Sequence, residues 1–136
     1  MKRIALVEDN DDNRALIAAL LEDRYRLLEY ADGPSALAGL VDEPPDLILL
    51  DISLPGMDGT EVLAKLRRHD ALRQVPAVAL TAHAMRGDRE RFLEQGFNEY
   101  VSKPIVDEEI LLSAIHRLLG AEGNADDGGT DGGTEG

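Results

Sequence analysis

The chain has no cysteine, which excludes disulfides, a thiol nucleophile and any Cys-ligated metal. Positive charge is scarce: 14 Lys+Arg stand against 27 Asp+Glu, a formal net charge of −13 over 136 residues. So acidic a chain is a poor non-specific ligand for nucleic acid or anionic membrane, both of which need a positive field. No apolar run approaches the roughly 20 residues of a membrane span. The opening MKRIALVEDN reaches a carboxylate too soon for a signal peptide, and the expected location is the cytoplasm. Neither G-x-x-x-x-G-K-[ST] nor G-x-G-x-x-G occurs, so the sequence does not read as nucleotide-binding. The run Asp9-Asn10-Asp11-Asp12-Asn13 starts like a calcium loop, but Arg14 and Leu20 stand where that loop needs Gly and an acid. Asp12 is then the expected cap of the first helix.

What is present is enough apolar material, 43% of the residues, for one core. The acid is unevenly spread. Residues 120–136 hold seven Gly and five acids, with no Lys or Arg and only Ala121 and Ala125 apolar. Such a segment cannot bury enough surface to offset its ordering entropy, and it reads as a disordered acidic tail. Residues 1–119 keep 22 acids against 14 bases, a net charge of −8.

Those 119 residues alternate between two textures. Short apolar runs lie at Ile4–Val7, Leu47–Leu50 and Val75–Leu80, with weaker ones at Arg26–Tyr30 and Glu99–Val101. Between them the apolar residues fall at helical spacing: Leu16, Ile17, Leu20 and Leu21; Val62, Leu63 and Leu66; Ile110, Leu111, Ala114, Ile115 and Leu118. Pro34 sits just inside a predicted helix over Pro34–Val41, and a helix over Ala84–Gln95 ends at Gly96. Asp58 and Glu61 have capping-box spacing at the entry to the third helix. The pattern predicts five β/α units, hence a doubly wound α/β fold whose parallel sheet is covered on both faces. In such folds ligands sit at the carboxyl ends of the strands.

The predicted strand ends carry Glu8-Asp9, Asp51, Thr81 and Ser102-Lys103-Pro104. Three carboxylates crowded together repel, and a shared divalent cation relieves them. Hard oxygen ligands without Cys or a His cluster point to Mg²⁺. With Lys103 and one divalent cation the formal charge of the three acids is balanced. The pocket then suits a phosphoryl group, with a carboxylate as nucleophile, Mg²⁺ and Lys103 neutralising the transferring oxygens and the Thr81 hydroxyl donating to one of them. Lysine is rare here, three against eleven Arg, so the compact ammonium at position 103 stands out.

VEDN at Val7–Asn10, LLDISLPGMDG at Leu49–Gly59, LTAHA at Leu80–Ala84 and SKP at Ser102–Pro104 together resemble the CheY-like receiver domain of two-component response regulators. The resemblance runs from about Lys2 to Leu119. It implies a five-stranded (βα)5 sheet in the flavodoxin-like order 2-1-3-4-5. It makes Asp51 the phosphoacceptor, and has Mg²⁺ bound by Asp9, Asp51 and the backbone carbonyl of Ser53, with Glu8 acting through water. Thr81 and Lys103 would contact the phosphoryl group, Tyr100 would be the aromatic switch residue, Ser53 and His83 would tune phosphoryl lifetime, and Lys103–Pro104 would be a cis bond.

The implied partner is a sensor histidine kinase or a histidine phosphotransfer protein. A signalling protein with self-catalysed transfer and slow autodephosphorylation is expected, not a turnover enzyme. An aspartyl-phosphate hydrolase would need a second acid two residues after Asp51, where this chain has Ser53. His69 and His116 are expected on the surface. With no room for a DNA-binding domain after Leu119, the expectation is a stand-alone receiver that signals through the surface of its fourth helix, fifth strand and fifth helix. Two alternatives remain: a phosphorylation-independent docking module, and a receiver cut from a hybrid kinase.

Overall fold

The computed structural model describes residues 1–82, 85, 87–105 and 107–120. Five strands, β1 (Arg3–Val7), β2 (Arg26–Tyr30), β3 (Leu47–Asp51), β4 (Ala77–Thr81) and β5 (Glu99–Ser102), alternate with five helices. The helices are α1 (Asp11–Leu21), α2 (Gly33–Asp42), α3 (Gly59–Leu66), α4 (Asp88–Glu94) and α5 (Glu108–Leu119). All neighbouring strands pair in parallel, in the order β2-β1-β3-β4-β5, as the family resemblance implied.

The near-continuous apolar strands serve two cores at once, because successive side chains leave a strand on opposite faces. Ala5, Val7, Ile48, Leu50, Ala77 and Ala79 pack beneath α2, α3 and α4. Their neighbours Ile4, Leu6, Leu47, Leu49, Val78 and Leu80 pack beneath α1 and α5. The two helices of that second layer bury narrower stripes than their spacing suggested. Leu16 is 42% exposed and Ile110 57%, while Leu112, absent from the expected face, is buried.

Local signals explain most boundaries. Asp58 caps α3 by accepting from the Glu61 N–H at 3.0 Å, and Asp32 caps α2 with Pro34 in its first turn. The expected Asp12 cap is corrected: Asn10 caps α1, its Oδ1 accepting from the Asn13 N–H at 2.9 Å. Asp12 therefore lies within the first turn beside Asp11, where its charge still favours the positive end of the helix. β4 begins at Ala77, two residues later than the apolar run, because Val75 and Pro76 precede the ladder. α4 is shorter than expected within the described residues, and the chain leaves it through Gly96 at φ +104°, a left-handed turn that glycine makes without strain.

Candidate functional site

Register brings the strand-end residues together. Val7 pairs with Leu50, so one step further puts Glu8 beside Asp51. Asp51 pairs with Leu80 and Thr81 with Ser102, which sets Thr81 and the loop carrying Lys103 along the same edge. The Lys103 N–H closes that edge by donating to the Thr81 carbonyl at 2.8 Å, and the Lys103–Pro104 peptide bond is cis.

At the centre are two buried acids, Glu8 at 0% and Asp51 at 1% exposure. The Lys103 Nζ lies 3.1 Å from Glu8 Oε1 and 3.0 Å from Asp51 Oδ2, so one ammonium holds both. The remaining oxygens are also tied: Ser53 N–H donates to Asp51 Oδ1 at 2.9 Å, and Asn10 N–H to Glu8 Oε2 at 3.1 Å. Burial pushes the Glu8 carboxyl above the usual carboxylate range. The Asn10 N–H and Lys103 pull it back, while the charge of Asp51 pushes it further up. Burial pulls the Lys103 ammonium down, but its hydrogen bonds to Asp51 and Glu8, with their charges, outweigh that and hold it above the ordinary lysine value.

Exposed Asp9 completes the cluster. Glu8, Asp9 and Asp51 each offer a carboxylate oxygen, all within 4.8 Å of one another. Three hard anionic donors, with only one ammonium among them and open on one side at Asp9, are a donor set that fits a hard divalent cation. The loop after β3 is pressed close to this cluster. A Cβ on Gly59 would come within 2.3 Å of the Asp51 carbonyl oxygen, and the Gly59 N–H donates to the Ile52 carbonyl at 2.9 Å. Only glycine permits that approach, and it keeps Ser53 next to the acids.

Tyr100 lies apart from the cluster. It pairs with Ala79 and packs on the α2–α3–α4 side of the sheet, its ring 5.7 Å from that of Phe92. By strand alternation Thr81 belongs to the same side as Tyr100. His83 lies outside the described residues, as do residues 121–136. His69 and His116 are exposed.

Two arrangements had no signal in the sequence. Arg14 donates from Nη1 to the Glu8 carbonyl at 2.8 Å and from Nη2 to Asp11 Oδ1 at 2.7 Å, bracing the loop that carries Glu8 and Asp9. Glu99, buried at the start of β5, accepts from Arg89 of α4 and Arg117 of α5. The Asp11 contact is an ordinary i,i+3 pair, but the reach of Arg14 to the Glu8 carbonyl and the convergence of two arginines on Glu99 do not follow from spacing, since they depend on where a long side chain ends.

Comparison with known proteins accords with this geometry. The family model for the response regulator receiver domain matches residues 4–116. The polar-differentiation response regulator DivK of Brucella anthropi is 43% identical over 105 residues, 76% of this chain and 85% of its own length. The signal transduction histidine-protein kinase BarA of Shigella flexneri is 41% identical over 117 residues, 85% of this chain, which spans 12% of the kinase. The receiver domain of the sensor histidine kinase PA1611 of Pseudomonas aeruginosa PAO1, crystallised with a magnesium ion coordinated in its active-site cleft, superposes with a TM-score of 0.79. It is 38% identical, and the match covers 88% of this chain and 98% of that domain. A fold in the order β2-β1-β3-β4-β5, an acidic cluster on its strand ends and these similarities identify the chain as a member of the response regulator receiver domain family.

Proposed function

We propose that the domain is switched by phosphorylation of Asp51 in a Mg²⁺-dependent reaction. The observation that carries this reading is Asp51 itself, buried at the strand edge with Lys103 at 3.0 Å and two further carboxylates alongside. Asp9, Asp51 and the Ser53 carbonyl would hold the cation, with Glu8 acting through water, and the bound cation would neutralise the transferring oxygens.

A carboxylate oxygen of Asp51 attacks phosphorus of a phosphohistidine presented by a sensor histidine kinase or histidine phosphotransfer protein. The P–N bond breaks, an acyl phosphate forms, and the imidazole departs. Lys103 exchanges part of its hold on Asp51 for a phosphoryl oxygen, and the Thr81 hydroxyl donates to another. Ser53 and His83 tune the lifetime of the acyl phosphate, which the domain itself slowly hydrolyses. Thr81 drawn toward the phosphoryl group leaves room on the sheet face it shares with Tyr100, whose ring turns inward. The surface of α4, β5 and α5 changes shape with it, a two-state element biased by a charge event. The output is a protein contact made in the cytoplasm, with neither nucleic acid nor membrane as target. Within residues 1–120, no described helix is long and apolar enough to cross a membrane.

Phosphorylation with a small phosphodonor tests the assignment. Wild type takes up phosphate only with Mg²⁺, and Asp51→Asn takes up none; uptake by Asp51→Asn overturns it. Thr81→Ala retains phosphate but loses partner binding, and retained binding removes the switch. The likeness to kinase-borne receivers supports a second reading, a receiver belonging to a longer kinase. An immunoblot of native cells decides between a species near 14.8 kDa and a much larger one.

A further inference from the structure

Asp9, Asp11 and Asn13 stand at the first, third and fifth positions of the run that starts like a calcium loop, and Arg14 occupies the sixth, where that loop needs glycine. In the folded chain α1 begins at Asp11, so the run winds into a helix instead of encircling an ion. Arg14 braces it there. Its own N–H donates to the Asn10 carbonyl at 2.9 Å. Nη1 reaches back to the Glu8 carbonyl at 2.8 Å, Nη2 donates to Asp11 Oδ1 at 2.7 Å, and Nε faces Glu29 Oε1 of β2 at 3.7 Å. One half-buried guanidinium thus joins the end of β1, the first turn of α1 and the neighbouring strand.

For Asp9 the consequence is positional. Glu8 is tied at every polar group: its N–H donates to the Tyr30 carbonyl at 3.0 Å, its carbonyl accepts from Arg14, and its carboxylate oxygens accept from Lys103 and the Asn10 N–H. Asp9 is exposed, and among the described residues its carboxylate has no hydrogen-bond or ion-pair partner. It takes its place from the backbone, and the peptide that joins it to Glu8 is pinned through the Glu8 carbonyl. Arg14 also withholds oxygens. A carbonyl and a carboxylate are both good ligands for a hard cation. The Glu8 carbonyl and Asp11 Oδ1 are engaged with the guanidinium, and Asn10 Oδ1 with the Asn13 N–H. Among the described residues, the carboxylate oxygens gathered within 4.8 Å of one another are those of Glu8, Asp9 and Asp51.

We propose that Arg14 makes the acidic site selective for Mg²⁺ over Ca²⁺, by fixing the Glu8–Asp9 peptide and by keeping the Glu8 carbonyl and the Asp11 carboxylate away from the cation. The inference rests on the proposed Mg²⁺ site and adds what sets its selectivity. Mg²⁺ demands a compact, near-octahedral set of donors and keeps several waters, so it gains from a few oxygens held rigidly. Ca²⁺ takes about six to eight oxygens in flexible geometry, so it gains when a loop is free to supply more. The charge of Arg14 acts in the opposite sense and alike on both ions, because a guanidinium repels either divalent cation equally. The ratio of the two affinities therefore separates the brace from the charge, which the affinity for one ion does not. Arg14 is a positioning residue, acting through Glu8 and Asp9.

The test is a titration of the isotopically labelled full chain with MgCl₂ and with CaCl₂ at constant ionic strength, followed through the amide signals of Glu8, Asp9 and Asp51 in two-dimensional NMR spectra. Wild type is expected to bind Mg²⁺ more tightly than Ca²⁺. Arg14→Met is expected to bind Mg²⁺ about tenfold more weakly, the scale of losing a group that orients a metal ligand, with Ca²⁺ affinity unchanged or raised. Arg14→Lys keeps the charge but offers a point ammonium in place of a fork, so the affinity ratio should fall there too, by about threefold or more. Adding Asp11→Ala to Arg14→Met should remove any gain in Ca²⁺ affinity and leave the Mg²⁺ loss. Signal dispersion shows that each variant is folded, and Arg14→Lys, the milder change, carries the test alone if Arg14→Met does not fold. A wild type that binds the two ions equally, or a ratio unchanged in both Arg14 variants, overturns the inference. So do equal shifts for both ions in Arg14→Met with wild-type behaviour in Arg14→Lys, which would reduce Arg14 to its charge. Wild-type signals that ignore both cations, or an Asp51→Asn protein that binds Mg²⁺ as wild type does, overturn the metal site itself and the inference with it.

Discussion

Lys103 is the residue on which the site's charge balance turns. Its ammonium is the one cation within 3.1 Å of the Glu8 and Asp51 carboxylates among the described residues, and both carboxylates are buried. Removing one member of a buried charge cluster costs more than forming it gained, because the partners stay desolvated. Lys103→Met is therefore expected to lose about 3 kcal/mol of stability in metal-free buffer. It is also expected to gain more in Tm from millimolar Mg²⁺ than wild type does, since the cation then takes over the ammonium's role. Thermal unfolding with and without Mg²⁺ measures both, and an equal Mg²⁺ increment in the two proteins would show that Lys103 and the cation do not share the carboxylates. Glu8, Asp9, Asp51 and Lys103 were legible in the sequence because a parallel sheet delivers all its strand ends to one edge, so position along the chain was enough. The hold of Arg14 on the Glu8 carbonyl and the arginine pair on Glu99 were not, because those partners are chosen by side-chain reach and not by sequence period.

Elements were legible where capping chemistry marks them and less so where packing decides. Asp58, with Glu61 three residues later, announced the start of α3, and the structure places its Oδ1 on the Glu61 N–H and 2.6 Å from the Thr60 hydroxyl. By contrast, periodicity put Leu16 and Ile110 on buried faces, although each is substantially exposed. Spacing gives the direction of a stripe, but its width depends on what the neighbouring strands cover. The Asp58 cap carries a pH signature. The Thr60 hydroxyl and then the Glu61 N–H hold its carboxyl below its ordinary value of 3.8. A lowered folded pKa means that the cap's stabilisation is complete above about pH 3.8 and disappears as pH falls through the folded value. Asp58→Asn keeps an acceptor, so it should flatten this part of the acid limb, whereas Asp58→Ala loses about 1 kcal/mol at neutral pH. Urea unfolding at pH 7 and pH 3 separates them; parallel curves for wild type and Asp58→Asn would count against the cap. At the same loop, Gly59→Ala drives a Cβ against the Asp51 carbonyl. It should cost about 1–3 kcal/mol and slow phosphate uptake together, because the loop can yield only by moving away from the strand end. Uptake at the wild-type rate would show that the loop and the site are mechanically separate.

At the scale of the whole molecule, the charge of −13 divides into parts with different physics. Five negative charges belong to residues 121–136, and three to Glu8, Asp9 and Asp51, which converge on one edge of the sheet. The first group has almost no apolar residues with which to fix itself to the domain, whereas α5 already closes its own end through Gly120 at φ +75°. Among the described residues both cores draw on nothing later than Leu119, and the packed domain is expected to be indifferent to the loss of residues 121–136. A chain ending at Gly120 is expected to unfold within about 1 °C of the full chain, since surface changes away from packed features stay within about 0.5 kcal/mol. Its Mg²⁺ affinity should fall slightly at 10 mM ionic strength, where the Debye length is about 30 Å, and match the full chain at 0.15 M, where it is about 8 Å. Calorimetry at the two ionic strengths reads both quantities. A drop of several degrees in Tm would place residues 121–136 against the domain, and a Mg²⁺ affinity that differs at high salt would mean a contact at the acidic site instead of a screened field.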